Sequence, residues 1–171
     1  KQSVKILDLG AGSGCIGLSI AAEKPEWFVC LSDFKKEITN VIHQNKINLN
    51  VKNCTITVVD WLTAFSQDSF DIIVTNPPYI DKSSNKIEKA VKKFEPSHAL
   101  YADECGLSYI KRIIISSKKS LKNNGYLFIE NGYDQSQEIK NFLVKNDFKD
   151  IEVLLDYNNI CRFTKCRHID G

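Results

Sequence analysis

The stretch Val4-Lys5-Ile6-Leu7-Asp8-Leu9 runs directly into Gly10-Ala11-Gly12-Ser13-Gly14-Cys15-Ile16-Gly17, and it decides the fold of this 171-residue chain. The apolar run before Gly10 predicts a strand, and the apolar residues from Ile16 onward predict a helix. Glycines at such a turn let the backbone approach a bound cofactor closely. The segment therefore predicts an α/β fold with a nucleoside-type cofactor at its first strand-to-helix turn.

The residue that ends the second predicted strand supports a cofactor of this type. Glycines 12, 14 and 17 satisfy the pattern G-x-G-x-x-G, and the second strand is predicted over 27–32. Asp33 follows it at the distance expected of an acid that binds ribose hydroxyls. Nicotinamide dinucleotides and S-adenosylmethionine both carry an adenosine ribose, so the glycine loop leaves both cofactors open.

A second loop separates the two cofactors. Asn76-Pro77-Pro78-Tyr79 closes the apolar run Phe70–Thr75, and it lies where ligands bind in open α/β sheets, just past a strand's carboxyl end. Because Asn76 and Pro77 each precede a proline, their backbone should be extended, with free carbonyl groups. The Asn76 amide oxygen and the Pro77 carbonyl would then face a planar NH2 group covered by Tyr79. Hydride transfer has no use for such a clamp, so the loop favours methyl transfer.

The remaining pattern alternates strand and helix until its last two strands. Because no helix separates these two, they predict an antiparallel hairpin on an otherwise parallel sheet. This is the Rossmann-like seven-stranded arrangement of class I methyltransferases, with helices on both faces, whereas a nicotinamide fold should continue with strand–helix units. The other predicted elements are a helix at 36–49 with Ile38, Val41, Ile42 and Ile47 inward, strands at 55–59 and 126–130, helices at 107–121 and 135–145, and strands at 151–155 and 160–164.

Composition limits the remaining options. The length fits a single catalytic domain, predicted over 1–165, with 166–171 as a tail or linker, and the lack of methionine indicates part of a longer protein. No stretch reaches the roughly 18 apolar residues of a membrane span. A net charge of +2 with scattered lysines disfavours direct nucleic-acid binding.

The six cysteines form no C-x-x-C pair, and Cys161, Cys166 and His168 fit no standard zinc spacing. We therefore expect no metal, and we expect buried thiols in a reducing cytoplasm.

Beyond these two loops, the chain resembles a known family through narrower motifs. It resembles the catalytic domain of the release-factor glutamine methyltransferases (the HemK/PrmC family), within the class I S-adenosylmethionine-dependent methyltransferases, from about Val4 to Lys165. The glycine loop and the Asn-Pro-Pro-Tyr loop are shared more widely than this family. The match also includes Asp60-Trp61, Glu130-Asn131-Gly132 and Gln135. The narrower motifs, which identify the family, are Phe94-Glu95-Pro96, Ala99-Leu100 and Gly106-Leu107.

The resemblance implies a substrate and a cofactor. It implies methyl transfer from S-adenosyl-L-methionine, leaving S-adenosyl-L-homocysteine, to the side-chain amide nitrogen N5 of a glutamine. That glutamine belongs to the Gly-Gly-Gln motif of class I peptide-chain release factors, the expected protein partners. It also implies a preceding helical domain that helps to hold the substrate and is absent from this chain. Gly10-Ala11-Gly12 departs from the more usual Gly-Thr-Gly without altering the backbone approach.

Each site residue has an expected role. Asp33 should accept hydrogen bonds from the ribose, Asp60 should accept from the adenine amino group, and Trp61 should pack on the base. Asp8 is expected only to order the glycine loop. The expected cofactor-binding residues are Gly10, Ala11, Gly12, Gly14, Asp33, Asp60, Trp61 and Asn76, the substrate-binding residues are Asn76, Pro77, Pro78 and Tyr79, and the catalytic residues are Asn76, Pro77 and Tyr79.

Two other functions remain open at this stage. Methylation of a nucleobase amino group in DNA or RNA would use a very similar Asn-Pro-Pro-Tyr clamp, although the segment at 94–96 and the modest charge argue against it. A non-catalytic scaffold that kept the fold would not need an intact cofactor loop and clamp. Glu130 and Asn131 face the same crevice, and the sequence leaves open whether they contact substrate or support the structure.

Overall fold

The computed structural model describes residues 3–81, 101–155 and 162–169. The predicted loop at 81–93, apart from Asp81, and the motif residues at 94–96 and 99–100 lie outside the described residues, as does Cys161.

The described residues form nine strands, four helices and one short turn. The strands are β1 (Lys5–Leu9), β2 (Phe28–Asp33), β3 (Cys54–Val58), β4 (Phe70–Thr75), β5 (Ile80–Asp81), β6 (Tyr101–Ala102), β7 (Leu121–Asn131), β8 (Lys149–Leu155) and β9 (Arg162–Arg167). The helices are α1 (Cys15–Glu23), α2 (Lys36–Asn48), α3 (Ser108–Ser120) and α4 (Ser136–Lys145). A short turn, Asp103–Gly106, in which Glu104 and Cys105 have left-handed backbone angles, precedes α3.

The main sheet has the order β3-β2-β1-β4-β7-β9-β8, in which β9 runs antiparallel to both of its neighbours. The pairs among β3, β2, β1, β4 and β7 are all parallel. These pairings confirm the prediction of a mostly parallel seven-stranded sheet that ends in an antiparallel hairpin. Strands β2 and β3 are added on one side of β1, and β4 is added on its other side, so the strand order reverses between β1 and β4. Ligands bind at such a point in open α/β sheets.

Two apolar clusters cover the two faces of the sheet. Alternate residues of β1 point to opposite faces; Ile6 belongs to the cluster under α1 and α2, and Leu7 belongs to the cluster under α3 and α4. The second cluster includes three fully buried isoleucines of α3, Ile110, Ile113 and Ile114, each of which contributes about 1.5–3 kcal/mol of burial free energy. This layering confirms the expectation of helices on both faces.

Helix α2 corrects part of the predicted core. Ile42 is fully buried, but Val41 is 49% exposed and Ile47 is 71% exposed, so the inward orientation predicted for these two is wrong. The buried face of α2 instead contains Thr39, one turn before Ile42. Residues three positions apart share a helix face, whereas positions 41 and 47 lie off that face.

The chain also departs from the predicted boundaries near its end. Strand β9 runs to Arg167, and Cys166 and His168 are buried, so the folded part extends past the boundary predicted at residue 165. Strand β7 begins at Leu121, five residues before the predicted start at 126, because Leu121 pairs with Phe70. The turn predicted at residues 123–125 is present as an irregularity in β7, where Asn124 has a φ of 64°.

The cysteines divide into two groups. Cys30, Cys54 and Cys166 are buried, and burial raises the pKa of all three thiols, that of Cys166 to about 12. Cys15 and Cys105 are exposed, so the expectation of uniformly buried thiols is wrong for these two. All five cysteines of the described chain are free thiols.

Candidate active site

The glycine loop between β1 and α1 has the conformation that a closely approached ligand requires. Gly10, Gly12 and Gly14 have φ values of 71°, 57° and 82°, in the left-handed region that disfavours other residues. A Cβ built on Gly12 would meet nothing within 4 Å, so this part of the loop faces open space. The loop is therefore a backbone cradle with room for a ligand, as the sequence predicts for a cofactor site.

Neighbouring elements hold this loop in place. The Ala11 N–H donates to the Ser32 carbonyl at 2.9 Å, and the Asn45 side chain of α2 donates to the Ser13 carbonyl at 2.9 Å. The Gly12 N–H donates to Asp33 Oδ2 at 3.1 Å. Asp33 is only 6% exposed, and its other oxygen accepts from the Lys35 N–H. The structure thus brings Asp33 to the glycine loop, where the sequence places it.

Asp8 orders the start of α1 from beneath the loop. Its Oδ2 accepts the Gly17 N–H at 2.7 Å, and a Cβ added at Gly17 would lie 2.8 Å from that same oxygen. A glycine is therefore needed at position 17 for the helix to approach the sheet this closely. Asp8 is 1% exposed, and burial raises its pKa to about 7, opposed by the Gly17 hydrogen bond and increased further by the charge of Asp33.

This raised pKa predicts a specific pH dependence of stability. The native state binds the Asp8 proton more tightly than the unfolded chain, whose carboxyl has a pKa of 3.8. Protonated Asp8 therefore contributes stability at low pH, and this contribution is lost as pH rises from about 4 to about 7. At about 1.4 kcal/mol per pH unit, the full loss is at most about 4 kcal/mol. A side-chain amide at this position cannot titrate, so Asp8→Asn should not lose this stability as pH rises. The free energy of unfolding of Asp8→Asn, relative to that of the native protein, should therefore increase between about pH 4 and about pH 8. Urea unfolding across this range measures the difference, and parallel profiles would show that Asp8 does not titrate there.

The segment after β3 reaches over the glycine loop. A Cβ built on Gly10 would lie 3.7 Å from Trp61 Cζ3, and the Trp61 ring lies 5.2 Å from the Tyr109 ring of α3. Trp61 has a φ of 51° and packs against the core as a half-buried side chain. Asp60 is exposed, and its Oδ2 lies 3.4 Å from Arg112 Nη2. Arg112 is a partner of Asp60 that the local sequence pattern did not indicate.

The Asn-Pro-Pro-Tyr loop begins at the edge of the sheet next to the glycine loop. The Thr75 hydroxyl, at the end of β4, donates to the Leu9 carbonyl at the end of β1, at 2.8 Å. Asn76 is exposed, whereas Pro77 is buried. The Tyr79 hydroxyl donates to Glu130 Oε1 of β7 at 3.2 Å. The structure thus places the predicted amide clamp between the ends of β1 and β7, with the Asn76 side chain accessible.

Two residues that the sequence singled out only as family motifs meet at this loop. The Gln135 side chain donates to the Tyr79 carbonyl at 2.8 Å and to the Cys105 carbonyl at 3.0 Å, and it accepts from the Gly132 N–H at 2.9 Å. Gly106 has a φ of 86°, and a Cβ there would lie 2.0 Å from the Tyr79 carbonyl oxygen. Sequence reasoning gave neither residue a role, because these contacts join segments that lie far apart along the chain.

The described residues offer neither a cluster of metal ligands nor a membrane-spanning helix. Residues 3–81, 101–155 and 162–169 contain no group of three or more His, Cys, Asp or Glu side chains able to hold a metal ion. In that part of the chain, no helix is both long enough and apolar enough to cross a membrane.

The strand order, the glycine loop after β1 and the Asn-Pro-Pro-Tyr loop after β4 together define a class I methyltransferase fold. An S-adenosylmethionine-dependent O-methyltransferase from Thermotoga maritima superposes with a TM-score of 0.72 at 16% identity, covering 100% of this chain and 61% of that one. The family model of the methyltransferase small domain matches residues 1–99. The chain belongs to this methyltransferase family.

Two curated relatives are similar along almost the whole chain. A release factor glutamine methyltransferase of Escherichia coli is 33% identical over 98% of this chain. A release factor glutamine methyltransferase of Francisella tularensis is 38% identical over 96% of it. These relatives confirm the resemblance found in the sequence motifs. The chain spans 61% and 58% of their respective lengths.

Proposed function

We propose that this chain is the catalytic part of an enzyme that methylates the side-chain amide nitrogen N5 of the glutamine in the Gly-Gly-Gln motif of class I release factors. The observation that carries the proposal is the Asn-Pro-Pro-Tyr loop, fixed at the carboxyl end of β4 beside the glycine cradle. The similarity to release factor glutamine methyltransferases over nearly the whole chain supports the choice of substrate.

S-adenosylmethionine is the cofactor that we propose for the glycine cradle. The left-handed glycines and the open space above Gly12 fit a ligand that approaches the backbone closely. The buried Asp33 carboxylate, beside the loop, would hold the ribose hydroxyls, Asp60 would accept from the adenine amino group, and Trp61 would cover the base. When bound, this cofactor supplies a methyl group already activated by its sulfonium, so the chemistry requires no metal.

The residues of the chain then have to make a poor nucleophile react. An amide nitrogen delocalises its lone pair, and positive charge grows on it as the methyl group is transferred. The Asn76 oxygen and the Pro77 carbonyl would accept the NH2 hydrogens and stabilise that charge most strongly in the transition state. The Tyr79 ring would fix the amide plane so that the lone pair points at the methyl group. No strong base is needed, because the methylated nitrogen loses its proton readily.

Mass spectrometry of a methylation reaction tests the proposal directly. The protein is incubated with a purified, unmethylated class I release factor and S-adenosylmethionine, and the Gly-Gly-Gln peptide is analysed by fragmentation. We expect one added methyl group on the glutamine. A release factor that stays unmethylated, together with methyl transfer to a DNA or RNA substrate under the same conditions, would overturn the proposal in favour of a nucleobase acceptor.

The proposed ribose contact predicts a loss of cofactor affinity in an Asp33 variant. Hydrogen bonds to a charged carboxylate are worth about 1.5–3 kcal/mol, so Asp33→Ala should raise the cofactor Kd by roughly 10- to 100-fold. Glu37→Gln removes one negative charge from the exposed start of α2 and serves as the matched control. Titration calorimetry measures both values, and an Asp33→Ala Kd equal to that of the control would remove the ribose contact.

A further inference from the structure

The end of β7 and the loop after it hold Tyr79 at two separate atoms. Gln135 binds the Tyr79 backbone carbonyl, and Glu130 binds the Tyr79 hydroxyl. We propose that Gln135 and Glu130 are positioning residues that set the orientation of the Asn-Pro-Pro-Tyr loop and of the Tyr79 ring. This inference rests on the proposed function, because it assigns these two residues to the same amide clamp.

The two prolines explain why the loop needs an outside anchor. Pro77 and Pro78 have no backbone N–H, so this part of the loop cannot fix itself by donating hydrogen bonds to its neighbours. The two prolines can be held only through their carbonyl groups or through the residues that flank them, of which Tyr79 is one. Gln135 donates to the Tyr79 carbonyl, which leaves the Pro77 carbonyl, in the proposed reaction, for the substrate amide.

A glutamine is the side chain that suits this position. Its NH2 group donates to two carbonyls, those of Tyr79 and Cys105, and its oxygen accepts the Gly132 N–H. A neutral side-chain amide offers two donors and an acceptor in one plane, which a carboxylate does not. Gln135 is only 9% exposed, so these bonds form away from solvent, and loss of a donor would leave carbonyl groups unsatisfied.

Glu130 acts at the other end of the same residue. Its Oε1 lies 3.2 Å from the Tyr79 hydroxyl, in a part-buried position. Gln135 thus holds the backbone of Tyr79, and Glu130 holds the hydroxyl at the far end of its side chain. The position of the Tyr79 ring and the direction of its long axis therefore depend on β7 and the loop after it.

Gln135→Glu tests the first anchor, with Gln137→Glu as the matched control. Gln137 lies on the same segment and is exposed, where it pairs with Asn141, so it receives the same charge change away from the loop. We expect Gln135→Glu to lower kcat by about 100-fold with little change in KM or cofactor Kd, because the amide is misplaced rather than released. A carboxyl that faces carbonyl groups has a raised pKa and donates one hydrogen bond again when protonated, so kcat should recover in part as pH falls. A kcat equal to that of Gln137→Glu, or a fall in kcat that pH does not relieve in the folded variant, would overturn the assignment.

A double-mutant cycle tests the second anchor. Tyr79→Phe removes the hydroxyl and keeps the ring, and Glu130→Leu removes the acceptor. If Glu130 acts through the Tyr79 hydroxyl, the two effects on kcat should not add, and the double variant should resemble Tyr79→Phe alone. Glu130→Gln keeps an acceptor oxygen and should restore most of the activity lost in Glu130→Leu. Additive effects, or no rescue by glutamine, would overturn the role of Glu130.

Hydrogen exchange separates this inference from the proposed function. Exchange of the backbone amides of Tyr79 and Ile80 can be measured on the protein alone, without substrate or cofactor. Gln135→Glu should speed this exchange, whereas Gln137→Glu should leave it unchanged. If the wild-type protein fails to methylate a release factor but the exchange result holds, the substrate proposal fails and the anchor stands. Unchanged exchange in Gln135→Glu overturns the anchor even if the wild-type protein is active.

Discussion

Asn76→Ala should lower kcat by about 100- to 1,000-fold, the effect of removing one preorganised polar group from a site where charge develops. Asn76 is exposed at the carboxyl end of β4, where its side-chain oxygen can accept a hydrogen bond from a substrate NH2 group. The hydrogen of this bond becomes more positive as the methyl group is transferred, so the contact is strongest in the transition state. The loss should therefore appear in kcat, with the cofactor Kd nearly unchanged.

Single-turnover kinetics with a release factor measures this loss, and calorimetry measures the cofactor Kd. Asn40→Ala, an exposed substitution on α2, is the matched control for the general effect of removing an asparagine side chain. Because Asn76 is exposed, the variant should keep the thermal midpoint of the native protein. Turnover close to that of Asn40→Ala would show that the amide clamp mechanism is wrong.

The parts of the fold that the sequence predicts well are those that local patterns specify. The strand β1, its glycine turn and the start of α1 are contiguous, and the residue types there already state the backbone conformation, with three left-handed glycines. The closing hairpin of β8 and β9 was likewise predictable, because the strand patterns at 151–155 and 160–164 are too close along the chain for the crossover that a parallel pair needs. Asp33 belongs to the same group, since its distance from the glycine loop is a property of one strand–helix–strand unit.

The parts that could not be predicted depend on contacts between distant segments. Gln135 and Tyr79 lie 56 residues apart, and no local sequence pattern predicts that a side-chain amide will bind a carbonyl in another loop. Asp60 and Arg112 lie 52 residues apart, and the sequence of either segment alone does not predict that they form a pair. The misplaced Val41 and Ile47 of α2 show a related limit, because apolar residues on a helix indicate a buried face without fixing which of them lie on it.

Gly106 is the position in the described chain where the site has the least room for a side chain. Its φ is 86°, and a Cβ there would lie 2.0 Å from the Tyr79 carbonyl oxygen and 2.6 Å from Gln135 Nε2. Backbone oxygen cannot rotate away as a long side chain could, so Gly106→Ala must displace the turn, the loop or both by more than about 1 Å. Displacement of this size at a catalytic loop costs about 100-fold in rate. We therefore expect kcat to fall by at least that factor and the thermal midpoint to fall with it.

Gly12→Ala separates steric collision from backbone strain in this experiment. Gly12 also has a left-handed φ, 57°, but a Cβ there would meet nothing within 4 Å. Both alanine variants therefore carry the strain of a left-handed residue, about 1–2 kcal/mol, and only Gly106→Ala adds the collision with Tyr79. Urea unfolding of the cofactor-free protein should show a clearly larger loss of stability for Gly106→Ala than for Gly12→Ala. Equal losses of stability would mean that the turn at 103–106 moves away from Tyr79 at little cost in free energy. The close packing of Gly106 on the loop would then have no part in holding the clamp.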